Sequence, residues 1–112
     1  IIPGGFLVAE VEGKTVGYVI GNMIDESEGR ILAIAVSPEH RRRGVGTALL
    51  NAIVVTLKDK GAKRVRLELK LDNTHASKFY SSLGFKALGI AKGYYRMRGY
   101  TEDALIMVKD IP

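Results

Sequence analysis

The stretch from residue 31 to residue 71 constrains the fold more than any other part of the chain. Residues 31–36 form a nearly continuous apolar run, typical of a central strand that is buried on both faces. Apolar residues then recur at helical spacing over residues 45–57, and Gly61 provides a C-terminal stop. Residues 64–71 alternate charged and apolar side chains, which predicts a strand with one packed and one polar face. This order requires a parallel, right-handed crossover.

A hairpin is predicted before this unit. Residues 6–11 and 15–24 are rich in β-branched and aromatic side chains. They flank Glu12-Gly13-Lys14, a short connection whose glycine suits a tight turn. Residues 25–29 are polar, and we expect them to form the loop that leads into the apolar run.

A second helix and two closing strands are predicted after the unit. Asn73 can cap a helix that runs to about Leu83 and ends at Gly84. The closing strands are expected over residues 85–90 and 104–108. We therefore predict an α/β (α+β) fold with a mixed sheet, in one domain that spans residues 1–112.

The composition excludes several classes of protein. Cysteine does not occur, which rules out disulfides, thiolate metal sites and a cysteine acyl-enzyme. No apolar run approaches the roughly 18 residues of a membrane span, and no signal peptide is recognisable, so we expect no membrane partner and a cytoplasmic location. The formal net charge of +5 favours an anionic partner. Because the first residue is Ile1 and not methionine, we expect the natural start to be missing.

The turn Arg41-Arg42-Arg43-Gly44-Val45-Gly46-Thr47 lies between the predicted buried strand and its helix. Backbone N–H groups and the positive end of the helix dipole meet there, and such a place binds anions. The two glycines let the backbone approach phosphate oxygens, while the arginines add charge and Thr47 adds a hydroxyl. The turn suits a pyrophosphate, although it is neither a Walker loop nor a complete dinucleotide fingerprint. An ordinary turn with solvated arginines is the alternative.

Two motifs occur in order along the chain. The first consists of Arg41, Gly44 and Gly46. The second consists of Asn73, Ala76, Tyr80 and Gly84-Phe85. In both, the chain resembles the GCN5-related N-acetyltransferase (GNAT) superfamily, and the resemblance extends over residues 6–108. Three further elements resemble the RimI-like and Ard1-like protein N-terminal acetyltransferases of that superfamily: Glu68, Tyr94-Tyr95 and Glu102-Asp103-Ala104.

The resemblance implies a fold and a cofactor. The GNAT fold is a mixed, mostly antiparallel central sheet with a parallel, splayed strand pair and flanking helices. Family members usually begin with another strand and two helices, which we expect to be missing before Ile1. Acetyl-CoA is the implied cosubstrate, with no metal. The turn would hold its pyrophosphate, Asn73 and Tyr80 would contact its arm, and three strand residues would present backbone groups to its pantetheine: Ile34, Ala35 and Val36.

Direct acetyl transfer from a thioester needs a deprotonated amine, a place for the oxyanion and a proton for the departing thiolate. Glu68 lies on the polar face of its predicted strand and fits the base, the role that the resemblance also implies. Tyr80 follows Asn73 by seven residues, on the same helical face, and its phenol fits the general acid. The resemblance implies that Tyr94 and Tyr95 hold the backbone of an acceptor peptide. The acceptor would then be a protein N-terminal α-amine, with a ribosomal protein or the ribosome as partner.

Each catalytic candidate also has a structural interpretation. Glu68 can serve merely as an ion-pair partner of Arg66 or Lys70, and Tyr80 can merely pack. The tyrosine pair can be a glycine-flanked loop that covers the core. Two other functions stay open. The acceptor can be a polyamine, an antibiotic or a lysine side chain, or the arginine turn can bind nucleic acid, although it lacks interleaved aromatic residues. His40 and His75 are too isolated to form a metal site.

Overall fold

The computed structural model describes residues 5–112, which form two compact units. The strands are β1 Phe6–Val11, β2 Lys14–Met23, β3 Glu28–Val36, β4 Arg64–Lys70, β5 Lys86–Met97 and β6 Tyr100–Asp110. The helices are α1 Val45–Asp59 and α2 Thr74–Ser82, with a short 3-10 turn at Pro38–His40. Over these residues the strands form one mixed sheet in the order β1-β2-β3-β4-β6-β5, with a parallel pair. The predicted mixed α/β fold is therefore confirmed.

The first unit runs to Val65 and also includes residues 111–112. Its hairpin turn is tighter than predicted, because Lys14 already pairs with Val11 and so belongs to β2. Only two residues remain in the loop, Glu12 at a φ of +52° and Gly13 at +81°. Two successive positive φ values match the right-handed twist of the paired strands, and this favours glycine at the second position.

Helix α1 packs its apolar face against the strands of the first unit. Two glycines of β2 allow the close approach. A Cβ on Gly17 would lie 3.1 Å from Cδ1 of Leu49, and one on Gly21 would lie 3.1 Å from Cγ1 of Ile53. The buried apolar residues of this unit are Val16, Val19, Ile31, Leu49, Leu50, Ile53, Leu57, Ala62 and Val65.

Two predictions about β3 are wrong. The expected loop over residues 25–29 is shorter, because Oδ1 of Asp25 accepts the N–H groups of Ser27 and Glu28, both at 2.8 Å, and closes the turn early. These bonds also lower the pKa of the Asp25 carboxyl. The apolar run is not buried on both faces, since Leu32 is 44% exposed. A register shift in the β2–β3 ladder sets Leu32 outside the regular pairing.

The second unit spans Arg66–Asp110. Helix α2 begins and ends as predicted: Oδ1 of Asn73 accepts the N–H of Ala76 at 3.0 Å, and Gly84 follows the last turn at a φ of +94°. The alternation in β4 is also correct up to Leu69. Leu71 is 41% exposed, because it lies beyond the end of that strand.

The closing strands are much longer than predicted. They extend over residues 86–97 and 100–110, where 85–90 and 104–108 were expected. Only Arg98-Gly99 separates them, with Gly99 at a φ of +84°. The alternation that would have indicated the longer strand is interrupted around Gly93, where the register shifts. Tyr94 and Tyr95 are therefore strand residues and do not form a loop.

Candidate active site

The arginine turn of the first unit presents helix N–H groups without a capping side chain. Gly44 is the N-cap of α1 in the left-handed conformation, at a φ of +81°, and Arg42 also has a positive φ of 63°. Within the described chain, no side chain caps this helix and its first turn carries no acidic residue. The N–H groups of the first turn have no intrahelical acceptor, so they and the helix dipole favour an anion. Val45, Gly46 and Thr47 form that turn.

Arg41 folds back onto the end of β3. Its Nε donates to the carbonyl oxygen of Val36 at 3.1 Å, a bond that does not involve the two terminal guanidinium nitrogens. Arg42 and Arg43 are exposed. The expected pantetheine residues Ile34, Ala35 and Val36 are held in the ladder with β2, opposite Val19, Tyr18 and Gly17. Their contact with a cofactor stays a prediction.

Glu68 is far less exposed than its predicted polar face suggests. Its side chain is 4% exposed, and its Oε2 accepts the Nε–H of Arg66 at 2.7 Å. The hydroxyl of Tyr94 lies 3.4 Å from Oε1, a long hydrogen bond. Lys70 instead approaches Glu102, at 3.6 Å. The carboxylate of Glu68 is thus held between a guanidinium and a phenol.

The tyrosine pair connects this carboxylate to Tyr80. The rings of Tyr94 and Tyr95 stand edge to face, with centroids 5.0 Å apart. Burial raises the pKa of the Tyr80 phenol, and the nearby Tyr95 raises it further. Tyr80 also packs edge to face on Phe85, with centroids 5.8 Å apart. At neutral pH the Tyr80 phenol is therefore protonated, as a proton donor must be.

Asn73 uses one end of its side chain for the helix cap. Its Oδ1 accepts the Ala76 N–H, which leaves the amide nitrogen as a donor that this bond does not engage. The cap is confirmed, and the contact with a cofactor arm stays a prediction. No role was predicted for Asp103, which lies ten residues after its hydrogen-bond partner Gly93. No local pattern links residues that far apart.

Neither a metal centre nor a membrane span is found in residues 5–112. No three potential ligand residues cluster there, and Nδ1 of His40 lies 2.9 Å from the hydroxyl of Ser37. None of the helices in this range is both long and apolar enough to cross a bilayer.

Known proteins match most of the chain. A putative [ribosomal protein bS18]-alanine N-acetyltransferase of Bacillus subtilis is 38% identical over 102 residues, and an N-alpha-acetyltransferase of Sulfurisphaera tokodaii is 36% identical over 114. Each match covers 91% of this chain and 66% of the relative. The crystal structure of Ard1 from Thermoplasma volcanium is 34% identical, with a TM-score of 0.89, and the match covers 98% of this chain and 72% of that one.

The chain spans only part of its curated relatives, down to 44% of an N-acetyltransferase from Methanocaldococcus jannaschii. The family model described as "Acetyltransferase (GNAT) family" matches residues 2–85, three quarters of the chain. This match agrees with the arginine turn at the start of α1 and with the mixed sheet. The chain therefore belongs to the GNAT family of acetyltransferases.

Proposed function

We propose that this protein transfers the acetyl group of acetyl-CoA to the N-terminal α-amine of a protein. One observation carries the proposal: the second unit holds a nearly fully buried carboxylate, Glu68, against the hydroxyl of Tyr94. A base and a hydrogen-bonding group at adjacent positions are what the reaction needs on its acceptor side. Membership of the GNAT family supports acetyl-CoA as the donor.

The arginine turn is proposed to bind the pyrophosphate of acetyl-CoA. The N–H groups of Val45, Gly46 and Thr47 point out of the first helical turn, and the exposed side chains of Arg42 and Arg43 add positive charge. The backbone of residues 34–36 and the amide of Asn73 are the proposed contacts of the pantetheine arm. Acetyl-CoA supplies the activated acetyl group, and the residues of the chain bind and orient it.

The acceptor α-amine is proposed to react as its free base. Its nitrogen attacks the thioester carbonyl carbon, a C–N bond forms, and Glu68 accepts one proton from that nitrogen, directly or through a water molecule. As the tetrahedral intermediate collapses the C–S bond breaks, and Tyr80 donates its phenolic proton to the departing sulfur. The amine has lost one proton to Glu68 and the thiolate has gained one from Tyr80, so the step is balanced.

The proposed preference for an α-amine follows from acid–base chemistry and from the tyrosine pair. An α-amine has a pKa near 8 and a lysine near 10.4, so at neutral pH the α-amine supplies far more free base. Tyr94 and Tyr95 carry hydroxyl groups that can hydrogen-bond to the first peptide groups of the acceptor. The methylene stem of a lysine side chain has no polar group that could form such bonds. The names of the B. subtilis and S. tokodaii relatives support this acceptor. A ribosomal protein, modified in the cytoplasm, is the proposed partner.

A peptide panel tests the proposal. Each peptide has either a free or a blocked N-terminus, and acetyl-CoA-dependent mass gain is measured by mass spectrometry. We expect an added acetyl group on free peptides and little on blocked peptides or polyamines. If blocked peptides that contain lysine, or polyamines, are acetylated as fast as free peptides, the acceptor assignment is wrong. If no amine is acetylated while the protein binds DNA in a sequence-dependent manner unaffected by CoA, the arginine turn is a nucleic-acid site.

A further inference from the structure

The hairpin of β5 and β6 contains a bulge that includes Tyr94. Two register pairs bracket the bulge, Ala91 with Ala104 and Tyr95 with Glu102. Three residues of β5, 92–94, therefore stand opposite a single residue of β6, Asp103. Gly93 has a φ of +65°, in the left-handed region that favours glycine. The bulge inserts two extra residues at a defined place in the strand.

Asp103 holds this bulge through its side chain. Oδ1 of Asp103 accepts the N–H of Gly93 at 2.8 Å, a bond strengthened by the negative charge of the acceptor. The backbone carbonyl of Asp103 accepts the N–H of Leu71 at 3.0 Å. Leu71 directly follows β4, the strand that carries Glu68. One residue therefore bonds both the bulge and the segment next to the strand of the proposed base.

The bulge determines which residue of β6 stands opposite Tyr95 of β5. In a regular ladder continued from Ala91 and Ala104, Tyr95 would stand opposite Tyr100, at the hairpin tip. The two extra residues move it back to Glu102, a shift of about 7 Å at 3.4 Å per residue. Because the insertion is even, each tyrosine keeps its face of the sheet. Tyr94 thereby comes to lie beside Asp103, where its hydroxyl contacts Glu68.

We infer that Asp103 is a positioning residue for the acceptor, which acts by fixing the bulge that sets Tyr94 against Glu68. This inference rests on the proposed function, because it assigns the tyrosine pair to the binding of the acceptor peptide. Asp103 does not touch the reacting atoms. Its influence passes through the Gly93 N–H to the backbone of Tyr94, so the geometry of its acceptor oxygen matters and its negative charge is secondary.

Two substitutions separate geometry from charge. Asp103→Asn keeps an acceptor oxygen at the same distance from the backbone and loses the charge, whereas Asp103→Glu keeps the charge and moves the oxygens by one methylene group. We expect the peptide KM of Asp103→Asn to stay within about threefold of wild type. We expect Asp103→Glu to raise it about 10- to 100-fold, because displacements near 1 Å have effects of this size. The acetyl-CoA KM should not change in either variant, and exposed Asp110→Asn is the matched control.

Steady-state kinetics with peptide and acetyl-CoA, combined with hydrogen exchange of the Gly93 amide, give the answer. Protection of that amide in wild type and Asp103→Asn, its loss in Asp103→Glu, and the split in peptide KM support the inference. Equal effects of the two variants, an unchanged peptide KM in Asp103→Glu, or parallel changes in both KM values overturn it. A wild-type protein that acetylates no amine shows instead that the proposed function has failed, and this is seen before any variant is made.

Discussion

The two units of the chain are built on different principles. In the first, a helix with an apolar face packs on strands whose glycines allow close contact, and each of its two register shifts is one residue. The second buries fewer large residues, and its strand β5 shifts register by two residues at the bulge that contains Gly93. It also holds Glu68, Tyr80 and the tyrosine pair. In the proposed function the first unit presents backbone donors to an anion, while the second positions the groups that move protons.

Substitution of Glu68 should have the largest effect on activity. Glu68→Gln keeps one acceptor oxygen for Arg66 and gains an NH2 that can donate to the Tyr94 hydroxyl oxygen, but it removes the base, so we expect kcat to fall about 10²- to 10⁴-fold. That loss corresponds to about 3 to 5 kcal/mol of transition-state stabilisation. Glu102→Gln is the matched control, since Glu102 also faces a cation, Lys70, and has no proposed role in proton transfer. Wild-type turnover in Glu68→Gln, with an intact fold, would make the Arg66 pair purely structural.

Substitution of Tyr80 should lower kcat less than substitution of Glu68 does, and it should also change how the free energy of unfolding depends on pH. We expect kcat of Tyr80→Phe to fall about 10²-fold, because another donor such as water can protonate the thiolate slowly. The pKa of Tyr80 is raised in the folded state, so the native protein holds this proton more tightly than the unfolded chain. The free energy of unfolding should thus decline as pH rises above 10, and Tyr80→Phe should lack this part of the decline. Tyr100→Phe, at an exposed position, is the control in both assays. If Tyr80→Phe has the same kcat and the same pH dependence of unfolding as Tyr100→Phe, Tyr80 only packs.

CoA should increase the stability of the protein by binding at the arginine turn of the first unit. At a CoA concentration 100 times Kd, binding should add about 2.7 kcal/mol to the free energy of unfolding. Gly46→Val should abolish the increase in melting temperature, because its side chain would cover the N–H groups of the first turn. Gly89→Ala is the control, since a Cβ there meets no atom within 4 Å. A normal CoA response in Gly46→Val would exclude this turn as the phosphate site.

The smallest effect concerns the packing of the first unit alone. Gly17→Ala places a Cβ against the backbone oxygen of Ala35, and we expect a loss of about 1 to 3 kcal/mol in unfolding free energy. Denaturant titration measures this loss, with Gly89→Ala as the reference. In contrast to Glu68→Gln, the folded Gly17→Ala variant should keep its turnover. If kcat of Gly17→Ala falls together with its free energy of unfolding, the proposed assignment of the proton-transfer groups to the second unit alone is wrong.

Local sequence patterns predicted both helices and the first hairpin well. The apolar spacing over residues 45–57 and the stop at Gly61 located α1, which ends at Asp59. The hairpin and the second helix also followed from short-range signals, because Gly13, Asn73 and Gly84 act on their immediate neighbours. Such contacts involve residues close in sequence, so a single chain carries enough information to predict them.

The features that the sequence did not predict depend on distant partners. The length of β5 was missed because its alternation breaks where Gly93 bonds to Asp103, ten residues away. The low exposure of Glu68 was missed because Tyr94, 26 residues along the chain, approaches it. The bond from Nε of Arg41 to the carbonyl oxygen of Val36 was also not predicted, and the role of Arg41 in cofactor binding stays a prediction. Residue types suggested the proposed site, but only the fold gives its distances.

The protein is proposed to acetylate α-amines, and a competition between two amines of one peptide is a direct test of this acceptor. A single peptide with both a free N-terminus and one internal lysine is incubated with acetyl-CoA, and fragmentation mass spectrometry measures how much of each amine is acetylated. We expect the α-acetyl product to dominate well beyond an enzyme-free blank, and Tyr94→Phe to lower the ratio of α-acetylated to lysine-acetylated peptide. Equal acetylation of both amines by the wild-type protein, or a dominant lysine product, would contradict it.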